Sequence, residues 1–192
     1  MTCAMTDHPE PKTLDTLTSR LPDIRLSPSN DGTLALIVRR PGVDAREVLA
    51  DGELTLTDGL AGDSWRMRAS GRTSDGSPHP DMQLNLMNAR VIEAIAGPVK
   101  RWPLAGDQLF VDLDVAPQNL PPGTRLSIGE AVIEITAQPH TGCGKFAARF
   151  GVDALKFVNS PEGRSQNRRG VNAKVVTAGR IKVGDVVRKI GS

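Results

Sequence analysis

The chain has 192 residues, of which 39% are hydrophobic, 24% are charged and only 3% are aromatic. This length fits one domain of ordinary size or two small ones. The scarcity of aromatic side chains argues against a stacking surface for single-stranded nucleic acid. The longest uninterrupted apolar run, 34–38, is far too short to span a membrane. Asp7 and Glu10 stand where a signal peptide would need apolar side chains, so a cytoplasmic location is expected.

The chain contains two cysteines, Cys3 and Cys143, and three histidines. Two cysteines are too few for a disulfide framework, and one embedded thiol is typical of a reducing compartment. The scattered histidines and cysteines also exclude a structural zinc site with four Cys or His ligands.

The net charge of +2 is unevenly distributed along the chain. Residues 138–174 carry seven basic and two acidic residues, whereas the remainder carries 17 basic and 20 acidic residues. This basic segment is either a solvated face or a binding site for a phosphorylated small molecule. A surface that binds duplex nucleic acid would usually carry more positive charge along a recognisable helix.

The N-terminal part of the chain changes from a polar segment to alternating secondary-structure signals. Residues 1–20 have no hydrophobic period and are interpreted as a flexible tail, which leaves 21–192 as a single domain. An apolar run predicts a strand at 34–39. The capping-box spacing at 44–47 then predicts a short helix through Leu49.

In the middle of the chain the predicted order is a strand, a long loop, a helix and a second strand. Residues 53–57 alternate as a half-buried strand does, and the segment 69–81 is a polar loop long enough to be functional or disordered. Asn88 is a predicted N-cap, and the helix that it opens ends at 97–98. The alternation at 109–115 predicts another strand.

The C-terminal part is dominated by short strands. Residues 125–128 and 131–135 predict a hairpin, and 146–158 predicts two short helices separated by Gly151. Three closing strands are predicted at 173–177, 180–183 and 186–190. Many short strands between Gly and Pro turns, with few helices, indicate a mainly β fold that is a closed or nearly closed β-barrel.

The segment 138–146 has the composition of a reactive site. It lies between a predicted strand and a predicted helix, so the Cys143 thiol would face the backbone N–H groups at the helix start. His140 and Lys145 are close in sequence, and these features favour the thiolate as nucleophile or metal ligand. The alternatives are a small buried thiol at Cys143, a polar loop residue at His140 and a solvated Lys145.

Five stretches, taken in order, carry a resemblance to a known family. They are 62–64, then 84–86 with the helix after Asn88, 104–109 with the turns at 122–123 and 128–129, 139–146, and 179–185. In this order they resemble the MOSC domain, named for the C-terminal domain of molybdenum-cofactor sulfurases, in its stand-alone bacterial form. Cys143 stands where the family keeps its single cysteine. Ser64 stands where many members have an arginine, and 107–108 replaces the usual Glu-Asn pair.

The resemblance implies a MOSC-type barrel, similar to the β-barrel of pyruvate kinase, that binds the molybdenum cofactor (molybdopterin) with Cys143 as a ligand of molybdenum. Members of this kind are oxidoreductases that reduce N-hydroxylated or similar small substrates with an electron-donor protein. In eukaryotic sulfurases the domain is fused to a pyridoxal-phosphate-dependent desulfurase. This chain has no room for that second domain, and pyridoxal phosphate is not expected in it.

Three other functions stay open at this point. Cys143 could carry sulfur as a persulfide that a sulfur-donor protein supplies. The chain could also be a non-catalytic module that binds or delivers the cofactor. A cysteine hydrolase that uses Cys143 and His140 is the least favoured, because two residues of one short loop seldom reach each other and no orienting Asp or Asn is evident.

The candidate site residues follow from the cofactor's chemistry. A thiolate suits a soft molybdenum–dithiolene centre, and arginine holds phosphate bidentately. The predicted cofactor-binding residues are His140, Thr141, Lys145, Arg66, Arg68, Asn85, Arg164, Arg168, Arg169, Asn172 and Lys174, with Asn167 as a further candidate for the pterin edge. A small-molecule substrate is expected, and neither a nucleic-acid nor a membrane partner is.

Overall fold

A computed structural model of the protein describes residues 10–191, and its centre is a closed β-barrel of seven strands. Around the barrel the strand order is β11–β7–β8–β9–β5–β6–β1, and β1 closes the circle by pairing with β11. The strands are β1 Gly32–Arg39, β2 Glu47–Leu49, β3 Asp51–Thr55, β4 Gly59–Leu60, β5 Leu84–Asn88, β6 Leu109–Asp112, β7 Arg125–Ile128, β8 Ala131–Ile135, β9 Val171–Thr177, β10 Gly179–Lys182 and β11 Val186–Ile190.

Barrel neighbours are antiparallel except for β5 and β6, which are parallel. A parallel pair needs a crossover connection, and the helix α3 (Ala89–Ala96) supplies it. Strand β2 pairs with the outer edge of β1, while β10, β3 and β4 form a separate three-stranded sheet.

The barrel interior is a packed aliphatic core. In β8 the side chains of Ala131, Ile133 and Ile135 are buried, whereas the intervening residues are half-buried, as expected for a strand with one face inward. Strands on the opposite wall contribute Leu34 and Leu109, which are both fully buried. This core fixes the register of each strand and therefore the positions of the loops at the barrel ends.

A second core lies between the outside of the barrel and the helices. Phe110 of β6 and Val38 of β1 face outward into it, and α3 covers them. The helices are α1 Leu14–Ser19, α2 Leu21–Ile24, α3 Ala89–Ala96, α4 Gly144–Phe150, α5 Val152–Asn159 and α6 Pro161–Ser165. None of the helices within residues 10–191 has the length and apolar character that crossing a membrane requires.

Several predicted elements are confirmed. The fold is a mainly β closed barrel with a few short helices, and the hairpin of β7 and β8 turns at Gly129. Asn88 caps α3, since its side chain accepts hydrogen bonds from the backbone N–H groups of Arg90 and Val91. Gly151 separates α4 from α5 and has a φ of 94°, a conformation that favours glycine.

The predicted helix through Leu49 is wrong. Residues 47–49 form β2, in which Val48 pairs with Val38 and Leu49 with Ile37. Asp44 has a φ of 58°, so it lies in a left-handed turn and not at a helix N-cap. Val48 and Leu49 are the only apolar residues of this short segment, so a helix there would bury little apolar surface. Pairing with the edge of β1 therefore outweighs the local capping signal.

The predicted tail is also wrong for its second half, because residues 14–19 form α1. Residues 1–9 lie outside the described part of the chain, and Cys3 is among them. Thr13 caps α1, and Leu17 is fully buried in the second core. One buried leucine in a six-residue helix leaves no hydrophobic period for sequence analysis to detect.

Replacing Leu17 by Ala should therefore destabilise the fold by about 2–4 kcal/mol, because the substitution leaves a cavity in the second core. Urea unfolding measures the change. Leu14→Ala is the matched control in the same helix, since Leu14 is 38% exposed and its truncation should cost well under ~1 kcal/mol. Equal stabilities of the two variants would contradict the packing of α1 against the core.

Candidate functional site

Cys143 lies at the residue before α4, where its carbonyl oxygen accepts hydrogen bonds from the backbone N–H groups of Phe146 and Ala147. Its thiol is exposed and makes no hydrogen bond within residues 10–191. The side chain of Asn159 in α5 fixes the preceding residue, because it both accepts from the N–H and donates to the C=O of Gly142, each at 2.9 Å. A rigid loop therefore presents the thiol to solvent.

Gly142 packs closely against α5. A Cβ at this position would lie 2.7 Å from Leu155 Cδ1 and 3.1 Å from Val158 Cγ2, so these side chains would have to shift to accommodate it. Gly144, on the other side of Cys143, meets nothing within 4 Å and leaves open space beside the sulfur.

Cys143 lines a cleft of about 360 Å³ that we call the cationic cleft. Five of its lining residues are basic: Arg46, Arg68, Lys145, Arg149 and Arg169. Among the described residues that line it, Asp44 is the only acidic one, and it already accepts a hydrogen bond from Arg149 at 2.8 Å. The excess of positive charge gives this cleft a positive potential, which favours an anionic ligand over a cationic one.

Burial first, and neighbouring cations second, lower the pKa values of two cleft arginines. Partial burial, then the charges of Arg149 and Arg40, lower the pKa of Arg46. Burial, then Arg40, lowers the pKa of Arg68. Arginine stays protonated in proteins despite such shifts. A bound anion would relieve the part of these shifts that comes from repulsion between the arginines.

Arg169 is held in the cleft wall by the fully buried carboxylate of Asp107. One guanidinium nitrogen, Nη1, donates to both oxygens of Asp107, at 2.9 and 2.7 Å. The other, Nη2, donates to the Ala105 carbonyl at 2.9 Å, and the guanidinium carbon lies 4.9 Å from the centre of the Phe146 ring. Arg169 Nε is buried and, among residues 10–191, has no hydrogen-bond partner.

Asp107 also binds His140, whose Nε2 lies 2.7 Å from Asp107 Oδ1. Burial alone would raise the pKa of Asp107, but the charge of Arg169 and the bond from His140 outweigh it and hold that pKa below its usual range. Burial and the charge of Arg169 lower the pKa of His140. At neutral pH the imidazole is therefore neutral and donates its Nε2 proton to Asp107.

A second buried ion pair supports the other side of the cleft. Arg40 donates from Nε and Nη2 to the two oxygens of Asp63, at 2.8 and 2.9 Å. Its Nη1 donates to Gly106 O at 2.8 Å and to Asn85 Oδ1 at 3.0 Å. Asn85 in turn donates to Asn172 Oδ1 at 2.5 Å. The network fixes the backbone of Gly106 in the wall of the cationic cleft.

The structure brings some of the predicted site residues together and separates others. Cys143, Lys145, Arg68 and Arg169 line the cationic cleft. Three others do not line the cleft but support residues of its wall. His140 binds Asp107, which holds Arg169. Asn85 accepts a hydrogen bond from Arg40 and donates one to Asn172. The rest do not line the cleft: Thr141, Arg66, Arg164, Asn167, Arg168 and Lys174.

Ion pairs and packing explain where most of the separated residues lie. Arg66 pairs with Asp58, and Arg168 pairs with Glu162 while it stacks on Phe157. Lys174 pairs with Glu134 on the barrel wall. Asn167 donates to Val115 O at 3.0 Å, and Thr141 and Arg164 are exposed.

Sequence analysis missed Arg46 and Arg149 as cleft residues, as well as the pair of Arg40 and Asp63. Arg149 lies in the basic segment, so charge clustering could have identified it. Arg46 precedes β2, where a helix was expected. Ser64, which stands where many family members have an arginine, accepts hydrogen bonds from Nε and Nη2 of Arg68 at 3.1 and 2.9 Å. That contact helps to hold Arg68, one of the cleft's cations.

The cysteine hydrolase alternative has no catalytic pair in this geometry. His140 has an orienting carboxylate, Asp107, which the sequence did not reveal. The Cys143 thiol, however, makes no hydrogen bond to His140 or to any other residue in the described part of the chain. A nucleophile and its base must be within hydrogen-bond reach of each other, and these two are not.

Comparison with known proteins identifies the family. The sequence model of the MOSC domain matches residues 78–188, more than half of the chain. The chain belongs to the MOSC domain family. Among curated proteins, none matches this sequence.

No group of three or more His, Cys, Asp or Glu side chains within residues 10–191 is arranged to hold a metal ion.

Solved structures share the barrel. YiiM from Escherichia coli is 17% identical with a TM-score of 0.54, and the match covers 83% of this chain and 70% of that one. The YuaD protein from Bacillus subtilis is 15% identical with a TM-score of 0.55, and 81% of this chain and 93% of that one are covered. YiiM from Geobacillus stearothermophilus is 14% identical with a TM-score of 0.51, over 84% and 74% of the two chains. At these identities the likeness extends to the fold alone.

The half-buried His140 makes stability depend on pH. Because its pKa is lowered in the folded state, the unfolded chain binds a proton more readily, and the free energy of unfolding should fall as the pH drops below the ordinary histidine value of 6.5. In His140→Gln this part of the pH dependence should disappear. Urea unfolding of both proteins between about pH 5 and 7.5 measures it. Parallel pH profiles would contradict a neutral His140 with a lowered pKa.

Proposed function

We propose that this MOSC protein binds the molybdenum cofactor in the cationic cleft, with Cys143 as the protein's ligand to molybdenum. We propose further that it is an oxidoreductase acting on N-hydroxylated or similar small substrates. The observation that carries the proposal is the exposed Cys143 thiol on the wall of a cleft lined by five basic side chains.

The chemistry of the cleft fits the two ends of this cofactor. Molybdenum bound by a dithiolene is a soft centre, and a thiolate is a suitable additional ligand for it. The phosphate needs charged and N–H donors, which Arg46, Arg68 and Arg149 can supply. The buried Nε of Arg169 has a proton to donate and, within the described residues, no acceptor, so an anion in the cleft would complete its hydrogen bonding.

Bound there, the cofactor would supply a redox-active metal for the exchange of electrons with the substrate. The chain's own residues would hold and orient it. Asn159 fixes the loop that presents the Cys143 sulfur, and Asp107 holds Arg169 in a single orientation. Phe146 packs beneath Arg169 and limits the access of water to that side of the cleft.

The proposal extends to location and partners. One free thiol without a disulfide partner fits a reducing, cytoplasmic compartment. Each reductive turnover consumes electrons, and we propose that a partner protein supplies them.

Elemental analysis of the full chain, produced in a host that makes the cofactor, tests the proposal. Molybdenum and pterin should co-purify in near-equal amounts with the protein, and Cys143→Ser should lose the metal. Cys3→Ser is the matched control, since it removes the chain's other cysteine, and should retain molybdenum. A wild-type protein without molybdenum from such a host would refute the proposal.

The arginines of the cleft provide a second test. Arg68→Gln removes a charge-assisted hydrogen bond to the phosphate and should weaken cofactor retention by about 10-fold. Arg66→Gln is the matched control, because Arg66 pairs with Asp58 outside the cleft and should retain the cofactor as the wild type does. Pterin content after dialysis at increasing salt measures both. Equal loss from the two variants would contradict a specific role for Arg68.

A sulfur carrier is the second candidate, favoured by the exposure of Cys143 and by the absence of hydrogen bonds to its thiol within residues 10–191. The isolated protein would then be heavier by one sulfur atom, which a reductant would remove, and it would contain no molybdenum. A binding or delivery module would instead keep its affinity for the pterin in Cys143→Ala.

A further inference from the structure

A cavity of about 250 Å³ lies among the helices that cover the barrel. Residues of α2, α3, α6 and the loop after β6 line it, and we call it the helical pocket. Among the described residues, none lines both the helical pocket and the cationic cleft. A ligand in the helical pocket is therefore held by other residues than those that carry the proposed function.

One side of the helical pocket is aliphatic. Val91 and Val115 are 2% and 3% exposed, and Leu21 and Ile24 of α2 are half-buried. Asn88 also lines the pocket, but its amide is fully used. The oxygen accepts from two backbone N–H groups at the start of α3, and the nitrogen donates to Ser27 Oγ and Leu113 O. These side chains therefore offer a ligand apolar contact only.

Arg168 brings a buried guanidinium with unused donors to the same pocket. Its side chain is 6% exposed, and its guanidinium stacks on Phe157. Nη2 donates to Glu162 Oε1 at 2.5 Å and Nη1 to Phe157 O at 3.4 Å, and the side chain makes no other hydrogen bond within residues 10–191. Because a guanidinium has five N–H groups, Arg168 can still donate to a ligand.

The rim of the helical pocket carries unpaired groups of both signs. The exposed side chain of Arg25 has no hydrogen bond or ion pair among the described residues. Asp114 accepts through Oδ1 from the backbone N–H of Ala116 at 2.9 Å, and Glu162 accepts through Oε1 from Arg168. Asp114 Oδ2 and Glu162 Oε2 have no partner in the described part of the chain.

The charges of this lining balance. Two arginines, Arg25 and Arg168, stand with two carboxylates, Asp114 and Glu162, whereas the cationic cleft has five basic residues and one acidic residue. A balanced lining with free groups of both signs favours a ligand that also carries both charges. A simple anion would leave the carboxylate oxygens unused, and a simple cation would leave the guanidinium donors unused.

From these contacts we propose that the helical pocket binds a small zwitterion with an aliphatic body, of the class of free aliphatic α-amino acids. Arg25 and Arg168 hold its carboxylate, because guanidinium groups match carboxylate geometry. Asp114 and Glu162 hold its ammonium group, and the aliphatic body packs on α2 and α3. Drug-sized ligands usually occupy about 300–1,000 Å³, so this smaller cavity suits a small metabolite.

A ligand series tests the proposal by calorimetry on the full chain, produced without cofactor. L-Leucine should bind saturably. Two analogues each lack one charge of leucine: 4-methylpentanoate lacks the ammonium group, and 3-methylbutylamine lacks the carboxylate. Each should bind about 10-fold more weakly or worse, because a charge-assisted contact is lost. Glycine, which lacks the aliphatic body, should also bind at least about 10-fold more weakly. No saturable binding of L-leucine, or equal binding of 4-methylpentanoate, would overturn the proposal.

Side-chain variants locate the site. Arg25→Gln should weaken the binding of L-leucine about 10-fold, and Asp114→Asn about 5-fold, because each removes a charge that faces the ligand. Asparagine at 114 keeps an oxygen that can accept from the Ala116 N–H, so the local turn is retained. Arg164→Gln is the matched control, since Arg164 is an exposed arginine of α6 that does not line the pocket, and it should bind as the wild type does. Wild-type affinity in Arg25→Gln, or an equal loss in Arg164→Gln, would contradict the site.

This inference and the proposed function fail separately. A protein that never acquires molybdenum but binds L-leucine in this pattern would uphold the inference while the proposed function fails. A protein that carries molybdenum but does not bind L-leucine would overturn the inference and leave the proposed function standing.

Discussion

The buried carboxylate of Asp107 is the interaction on which the site depends. It has no exposure to solvent, and it binds both a cation, Arg169, and a neutral imidazole, His140. An unpaired buried charge costs several kcal/mol, so each of the three groups needs the others. As a result, Arg169 is fixed in the wall of a cleft whose other cations are more exposed.

The closed barrel provides the frame for this arrangement. Asp107 precedes β6 and Arg169 precedes β9, and both of these strands pair with β5. Because the aliphatic interior fixes strand register, the two residues meet with little freedom. Cys143 lies on the loop between β8 and α4, and a hydrogen bond from Gly142 N–H to Asn159 holds that loop. Rigid elements thus place a thiol and a wall of basic side chains next to each other.

Local patterns in the sequence predicted most of the barrel but only part of the site. Alternation, Gly turns and the Asn88 cap are short-range signals, and the strands and helices that they predict are present. The strand β2 and helix α1 escaped because pairing with β1 and the burial of Leu17 are long-range effects. Charge clustering identified both Arg168 and Arg169 as candidates, but it could not show which of them lines the cleft. Arg169 does, whereas Arg168 pairs with Glu162. The partners of Arg40 and Asp107 are 23 to 66 residues away and leave no local signal.

The central claim is that the Cys143 sulfur is bonded to molybdenum within the cationic cleft. X-ray absorption at the molybdenum edge tests it most directly, because the method counts the sulfur atoms around the metal in the loaded protein. The account predicts one sulfur neighbour more in the wild type than in Cys143→Ser protein reconstituted with the same cofactor. An identical sulfur shell in the two proteins would contradict it.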